Sequence, residues 1–343
     1  MNKIKINKAG LFTTIQDQGR WGYQQFGMTV AGAMDHFSMR VANMLVGNKE
    51  DEAILECTFL GPEIEFDCDE IISITGANMN PRINGEPALM WTSIKVNPGD
   101  ILTFSGVVSG LRAYIAFSRG LDVPVIMGSK STFIRGNLGG LNGRKLQDKD
   151  EIELGEGHLR TTGSYLSKEL IPIYEKESIV RVVMGPQDDY FTEEAIETFL
   201  NSTYKVTSEA DRMGYRLDGP KIEHKAGADI ISDGIVFGSI QVPGHGSPII
   251  MMGDRQTTGG YTKIATVITP DLNLLAQMGP GWSVNFKRIT VEESHELYKE
   301  YEKRFKVIKE FIDKNKFKFH RTKNLNLTFS GTTFNVKVSE IED

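Results

Sequence analysis

Ile235-Val-Phe-Gly-Ser-Ile-Gln-Val242, Ile249-Ile-Met-Met252, Ile264-Ala-Thr-Val-Ile268 and Ser283-Val-Asn-Phe286 succeed one another in the second half of the chain. Each is short, rich in β-branched or aromatic residues and bounded by Gly, Pro, Asn or Asp, as strands between turns are. The same pattern marks residues 71–75, 101–104, 112–117 and 179–184, with turn signals at Asn84-Gly85 and Asn97-Pro-Gly-Asp100. Met1-Asn-Lys-Ile-Lys-Ile-Asn-Lys8 alternates apolar and polar residues and reads as a first strand. Many short strands with few helical segments between them favour antiparallel barrels or sandwiches over βαβ units. No fixed-period repeat is present. The predicted fold class is mainly β.

A chain of 343 residues suggests two domains with ample core. A break is expected around residues 160–178, where Thr161-Thr-Gly-Ser164 and Pro172 precede the polar run Glu175-Lys-Glu-Ser178. The expected units are residues 1–165, residues 175–290 and an extension over 291–343. With 39 basic against 45 acidic residues the net charge is −6, and no basic stripe occurs, which argues against nucleic-acid or anionic-membrane partners. No apolar run has the length of a signal peptide core or a membrane helix. Cys57 and Cys68 are too few for a disulfide framework or a cysteine zinc site, and a cytoplasmic location is expected.

Helical signals are few. Asp35 is placed to cap a helix that carries Phe37, Val41, Met44 and Leu45 along one side and stops at Gly47, and this helix would cover the mouth or side of a barrel. A second helix is expected over 192–200, with Glu193 and Glu194 in its first turn, where the helix dipole favours negative charge. Thr290-Val-Glu-Glu293 is a capping box. Leu297, Tyr301, Phe305, Ile308 and Ile312 then share one face of a highly charged helix that must dock on an apolar surface. Residues 325–338 alternate like a hairpin turning at Ser330-Gly331. That hairpin is similar to the opening of a biotin carrier domain, yet no Ala-Met-Lys-Met stretch follows, so no biotin is expected on this polypeptide.

Gly128-Ser-Lys-Ser-Thr132 offers amides and a lysine, as a phosphate loop does, but Ser129 breaks the required Gly-Lys-Ser/Thr spacing and a plain turn is the favoured reading. The loop 136–143, ending in Arg144, is a second candidate anion cradle, although its glycines more commonly serve tight turns. Three neighbouring pairs carry more weight: Asp17 with Arg20, Asp211 with Arg212, and Asp254 with Arg255. An arginine among small residues presents a planar fork of donors to a carboxylate, bicarbonate or phosphate oxygen; the alternative of about equal weight is a structural ion pair pinning two loops. Gln241-Val-Pro243 leads into Gly244-His-Gly-Ser-Pro248, where His245 is a candidate acid or base, although a loop histidine is more often simply exposed. Asp254-Arg-Gln-Thr-Thr-Gly-Gly-Tyr261 gathers an acid, a guanidinium, an amide, two hydroxyls and a phenol that no apolar packing demands. It is the preferred ligand loop. The six histidines show no metal-ligand spacing, and no Gly-x-Ser-x-Gly elbow occurs.

Gly10-Leu-Phe-Thr-Thr-Ile-Gln-Asp-Gln-Gly-Arg20-Trp-Gly, Gly32-Ala-Met-Asp-His36, Arg40-Val-Ala-Asn43 and Leu45-Val-Gly-Asn48 form a dense polar block punctuated by glycine. With the motifs at 128–132, 139–144, 211–217, 241–243 and 254–261, it resembles the allophanate hydrolase subunit 2 family. That family is also called KipA-like, includes the C subunit of 5-oxoprolinase, and is related to the carboxyltransferase region of urea carboxylase. The match covers most of residues 8–290. Arg119, where relatives more often show a Gly pair, and Ala210, where a Ser is usual, depart from it.

The resemblance implies two linked cyclophilin-like β-barrel subdomains. It also implies a component of an ATP-dependent 5-oxoprolinase, inactive alone, that opens 5-oxoproline to glutamate. Its partners would be a KipI-like (allophanate hydrolase subunit 1-like) protein and a LamB/YcsF-like protein, the A component of the same enzyme. Two alternatives accompany that reading: carboxyl transfer from biotin on another chain to a urea-like nitrogen, and antagonism of a KipI-like histidine kinase inhibitor. Because the family motifs fall on the charged loops, Arg20, Arg212, Asp254 and Arg255 are the expected catalytic groups, the arginines as anion holders. Gln241, Thr257, Thr258 and Tyr261 are the expected substrate contacts. ATP would serve the complex, with no site located in this chain, and no metal is expected.

Overall fold

The computed structural model describes residues 2–156, 159, 162–315, 318–329 and 332–342, the last two runs by backbone alone. The expected turn at Ser330-Gly331 and residue Thr161 lie outside the described residues. The architecture is mainly β, with four α-helices among the described residues.

The first half is built from two sheets around one core. One orders its six strands Glu151–Glu153, Lys3–Lys8, Glu63–Phe66, Ile101–Thr103, Arg82–Ile83 and Glu86–Pro87; the other runs Phe12–Gln16, Ile54–Thr58, Ser109–Phe117, Glu70–Asn78 and Ser93–Val96. The alternation of the first strand decides which side faces in. Ile4 and Ile6 are buried with Ile64, Phe66, Ile74, Ile115 and Phe117, while Lys3 pairs outside with Glu151; a register shift after Ile6 turns Lys8 outward to Glu63. The long central strands are buried almost throughout, because helix α1 (His36–Leu45) covers the face turned away from that core with Met39, Ala42 and Val46.

The second half is a closed barrel, in the order Glu177–Met184, Lys263–Val267, Ser239–Gln241, Ile249–Met251, Gly214–Asp218, Tyr204–Val206 and Ser283–Arg288. It closes by parallel pairing of Glu177–Met184 with Ser283–Arg288. Val180, Val182, Leu217, Ile240, Ile250, Ile264 and Val284 fill it, and Phe199 of helix α2 (Glu193–Asn201) stacks on Phe286 at 4.4 Å. Closure removes the unpaired edges that a seven-strand sheet would otherwise expose. One expectation changes here, and one helix was not foreseen. The apolar run 235–242 is a strand only over Ser239–Gln241, since Gly238 takes a left-handed turn (φ 88°) and releases Val236 and Phe237 sideways. Helix α3 (Thr269–Ala276), with a proline in its first turn, continues directly from the strand before it.

Helix α4 (Val291–Lys314) starts at the expected capping box, with Thr290 accepting from the Glu293 amide at 3.1 Å and Glu293 accepting from the Thr290 amide at 2.8 Å. Its apolar face docks on the outer stripe of α1: Phe305, Ile308 and Ile312 bury against Phe37, Val41, Met44, Leu45 and Trp91. The guanidinium of Arg40 lies 3.4 Å above the Phe305 ring and grips Glu302 with two hydrogen bonds of 2.8 and 3.0 Å. No helix among the described residues is long and apolar enough to cross a membrane. Phe305→Ala should therefore cost about 3–5 kcal/mol, a cavity penalty plus a lost ring contact, readable in chemical denaturation. A cost below about 1 kcal/mol would mean that α4 is a loosely held appendage.

Candidate active site

The seam between the halves holds a buried network of charged groups. Arg212, on the barrel, donates to Asp254 Oδ2 at 3.1 Å and Oδ1 at 2.9 Å, to the Gly32 carbonyl at 2.6 Å and to Glu56, which belongs to the first half. Glu56 is fully enclosed and also accepts from the Met34 amide at 2.7 Å and the Tyr114 hydroxyl at 2.9 Å. Nearby, Arg112 donates to the Tyr215 hydroxyl at 2.5 Å and the Ala276 carbonyl at 2.6 Å, and Gln277 links the Leu111 and Arg112 amides to Asp35. Burial works against the charge on Arg212, but Asp254 and Glu56 outweigh it and raise its pKa. For Asp254 burial prevails and the pKa rises, with Arg212 opposing. Asp254 thus pairs with Arg212 and not with its sequence neighbour Arg255. Asp211 accepts from the amides of Met213 and Gly214 and shapes a turn.

Asp17 and Arg20 also part company. Asp17 accepts from the Ser129 hydroxyl (2.7 Å), the Ser131 hydroxyl (2.5 Å), the Lys130 amide (2.6 Å) and the Gly19 amide (2.7 Å). Its carboxylate occupies the anion-like position that Gly128-Ser-Lys-Ser-Thr132 offers, and Lys130 Nζ is engaged by Glu52 and the Leu121 carbonyl, both at 2.8 Å. Arg20, wholly buried, ties the Ile126 and Ser131 carbonyls together at 3.0 and 2.8 Å. Gly139 is required for this approach, since a Cβ there would lie 2.0 Å from the Ser131 oxygen. Arg144 is likewise spoken for, holding Asp150 with two bonds of 2.7 and 2.8 Å.

Arg255 is different. It is 4 % exposed, yet among the described residues its guanidinium makes only two long bonds, 3.4 Å each, to the Ile235 and Met252 carbonyls, and no carboxylate pairs with it. Burial lowers its pKa to about 10, so it remains a cation at neutral pH. It lines a cavity of about 570 Å³ at the seam, together with Gln18, Trp21, His36, Phe237 and Tyr298. Helix α1 brings His36, the turn at Gly238 brings Phe237, and α4 contributes Ser294, Tyr298 and Tyr301 to the wall. The His36 imidazole is held neutral, its pKa lowered to about 4 by burial and then by Arg40.

Of the expected residues, only Arg255 lines this cavity. Gln241, buried, donates to the Tyr261 carbonyl at 3.3 Å; Thr258 and Tyr261 lie on an exposed ribbon formed by Thr258–Tyr261 and Asp229–Gly234, and the Thr257 carbonyl accepts from the Ile235 amide. His245 sits on an exposed loop and accepts from the Ser247 amide. His36, Gln18 and Trp21 belong to the glycine-punctuated opening block but carry no individual mark in the sequence; their one signal is the block's excess of polar groups.

Residues 26–288 match the family described as carboxyltransferase domain, subdomain A and B. The chain belongs to this family. It is 35 % identical to the C subunit of 5-oxoprolinase from Escherichia coli K12 over 291 residues, which are 85 % of this chain and 93 % of that protein. The crystal structure of K. lactis urea carboxylase superposes with a TM-score of 0.84 and 30 % identity over 99 % of this chain and 32 % of that one. That of K. lactis urea amidolyase gives 0.84 and 32 % over 90 % and 20 %. In these two the fold seen here is thus one segment of a much longer polypeptide.

The family fold leaves Arg212 and Arg255 in opposite situations, which stability measurements distinguish. Glu56→Gln should cost about 3–5 kcal/mol by leaving Arg212 buried without full compensation. Arg255→Met should be neutral or stabilising, because it removes a buried charge that has no ionic partner among the described residues. Equal losses in denaturant midpoint for both would mean that Arg255 is a structural group. For His36, protonation is favoured more in the unfolded chain than in the folded one. Its contribution is therefore complete above pH 6.5 and is lost as the pH falls toward 4. Between pH 7.5 and 4.5, His36→Gln should lose about 2–3 kcal/mol less than the wild type. Arg40, Glu56 and Arg255 are the charged groups that act on the ring.

Proposed function

We propose that this protein is the C subunit of an ATP-dependent 5-oxoprolinase, which opens the lactam of 5-oxoproline to glutamate while ATP is hydrolysed to ADP and phosphate. The carrying observation is the near end-to-end similarity to the E. coli C subunit, over 93 % of that relative's length. The partners are a KipI-like protein and a LamB/YcsF-like protein. The loop 128–132 is filled by Asp17 and its lysine is engaged elsewhere, while Arg144 of the second candidate loop holds Asp150. That donor set does not fit a triphosphate. The nucleotide is assigned to one of the partners.

A lactam carbonyl resists water because amide resonance stabilises it. This chain's contribution is positioning and electrostatics in a partly enclosed cavity. Arg255 stays charged in low-dielectric surroundings, where its pull on a carboxylate or a developing oxyanion is stronger than in water. Phe237 and Trp21 give the substrate ring apolar walls.

A second reading, carboxyl transfer to a urea-like nitrogen, draws on the superposition of 99 % of this chain on urea carboxylase. It needs a biotinylated partner.

Mixing the purified chain with both partner proteins should give ATP-dependent glutamate release from 5-oxoproline, and the chain alone should give none. Biotin-dependent carboxylation without glutamate release would favour the second reading. In the assembled complex, Arg255→Lys keeps the charge but loses the planar two-point grip, and turnover should fall roughly ten- to a thousandfold. Wild-type turnover in that variant would remove Arg255 from the site.

A further inference from the structure

Two polar side chains in the cavity wall flank the same aromatic ring. The guanidinium carbon of Arg255 lies 5.5 Å from the centroid of Phe237, and the His36 ring centroid lies 6.2 Å from it. The other charged groups around them are committed. Arg40 is held by Glu50 and Glu302, and Glu56 by Arg212, Tyr114 and the Met34 amide. Arg255 keeps unused donors. The His36 imidazole is neutral, burial having lowered its pKa to about 4. A neutral imidazole carries one donor and one acceptor, and among the described residues no hydrogen-bond donor is paired with the His36 ring, so one ring nitrogen has a free lone pair. The cavity thus sets an unused acceptor and an unused cationic donor beside an aromatic face.

We propose that His36 and Arg255 together read the edge of a planar cyclic amide, with the free His36 nitrogen accepting the ligand N–H, Arg255 donating to the neighbouring ligand oxygen, and Phe237 packing on the ring. A lactam acid such as 5-oxoproline and a cyclic ureido group share this edge, N–H beside an oxygen acceptor. His36 is then a specificity-determining residue. This inference rests on the cavity being the substrate site of the reading above, but not on which reaction takes place there.

The test is direct binding to the full chain, by calorimetry or ligand-observed NMR, with 5-oxoproline, its N-methyl derivative and 2-imidazolidinone as probes. Wild type should bind 5-oxoproline at least tenfold more tightly than the N-methyl derivative, because the derivative has no N–H for the His36 nitrogen to accept and the nitrogen is left unpaired. His36→Leu should bring the two within about twofold, and His36→Gln, which restores an acceptor, should keep part of the preference. Arg255→Met should weaken both at least tenfold, with a melting temperature that is unchanged or higher. Binding of 2-imidazolidinone in place of 5-oxoproline would support the same edge reader with a ureido source, tested by its N,N′-dimethyl form. Equal binding of N–H and N-methyl forms, a preference that survives in folded His36→Leu, or no binding of either ring at millimolar concentration overturns the inference. Glutamate release by the assembled complex without His36-dependent discrimination would sink this inference and leave the proposed function standing; discrimination without glutamate release would do the reverse.

Discussion

Arg212 is the fixed point of this molecule. It leaves the barrel, crosses the seam and is held by a carboxylate from each half, Asp254 on its own side and Glu56 on the other. A buried ion pair of this kind contributes little net stability over an apolar contact of similar volume, but breaking one member of it is costly. Its effect is to set one relative placement of the two halves, because any other would strand a charge. The cavity lies along the same seam, so its walls inherit that placement. Met34 and Gly32, which the Glu56–Arg212 pair grips through their backbones, lead directly into His36.

The same logic separates two uses of arginine that look alike in a sequence. Arg144 and Arg212 are held by internal carboxylates, and Arg20, although its Nη1 is buried without a partner among the described residues, is spent on tying the Ile126 and Ser131 carbonyls together. Among the described residues the Arg255 guanidinium has only two long carbonyl contacts and an aromatic face. A charge left that way inside a protein is a standing cost, and it is most simply understood as complementarity to something not part of the chain.

Much of the architecture is legible in the residues alone. The alternation at the start of the chain, the caps at Asp35 and Thr290, the acids Glu193 and Glu194 at the head of α2, and the Phe305 stripe all express local rules, and α1, α2 and α4 lie where those rules put them. Family membership, too, is carried by short ordered motifs. The pairing of charges is not legible. Asp17, Asp211 and Asp254 sit close to arginines in sequence, yet all lie in loops and turns, and their partners come from across the fold or from the backbone of a turn, which sequence proximity does not reveal. Nor can composition show that the glycine-led loop at 128–132 encloses a carboxylate of the same chain. The run 235–242 misleads for a related reason: one glycine with a left-handed backbone converts half of an apparent strand into the aromatic wall of a cavity.

Helix α4 has a consequence for biosynthesis. The contact between Arg40 and Glu302 spans 262 residues. At a ribosomal pace of about 5–20 residues per second, α1 waits roughly 13–50 s for its cover. During that interval the stripe of Phe37, Val41, Met44 and Leu45 is exposed on the nascent chain, and the cavity lacks the wall that Tyr298 and Tyr301 provide. The uncovered stripe is the segment that a chaperone would hold until α4 arrives.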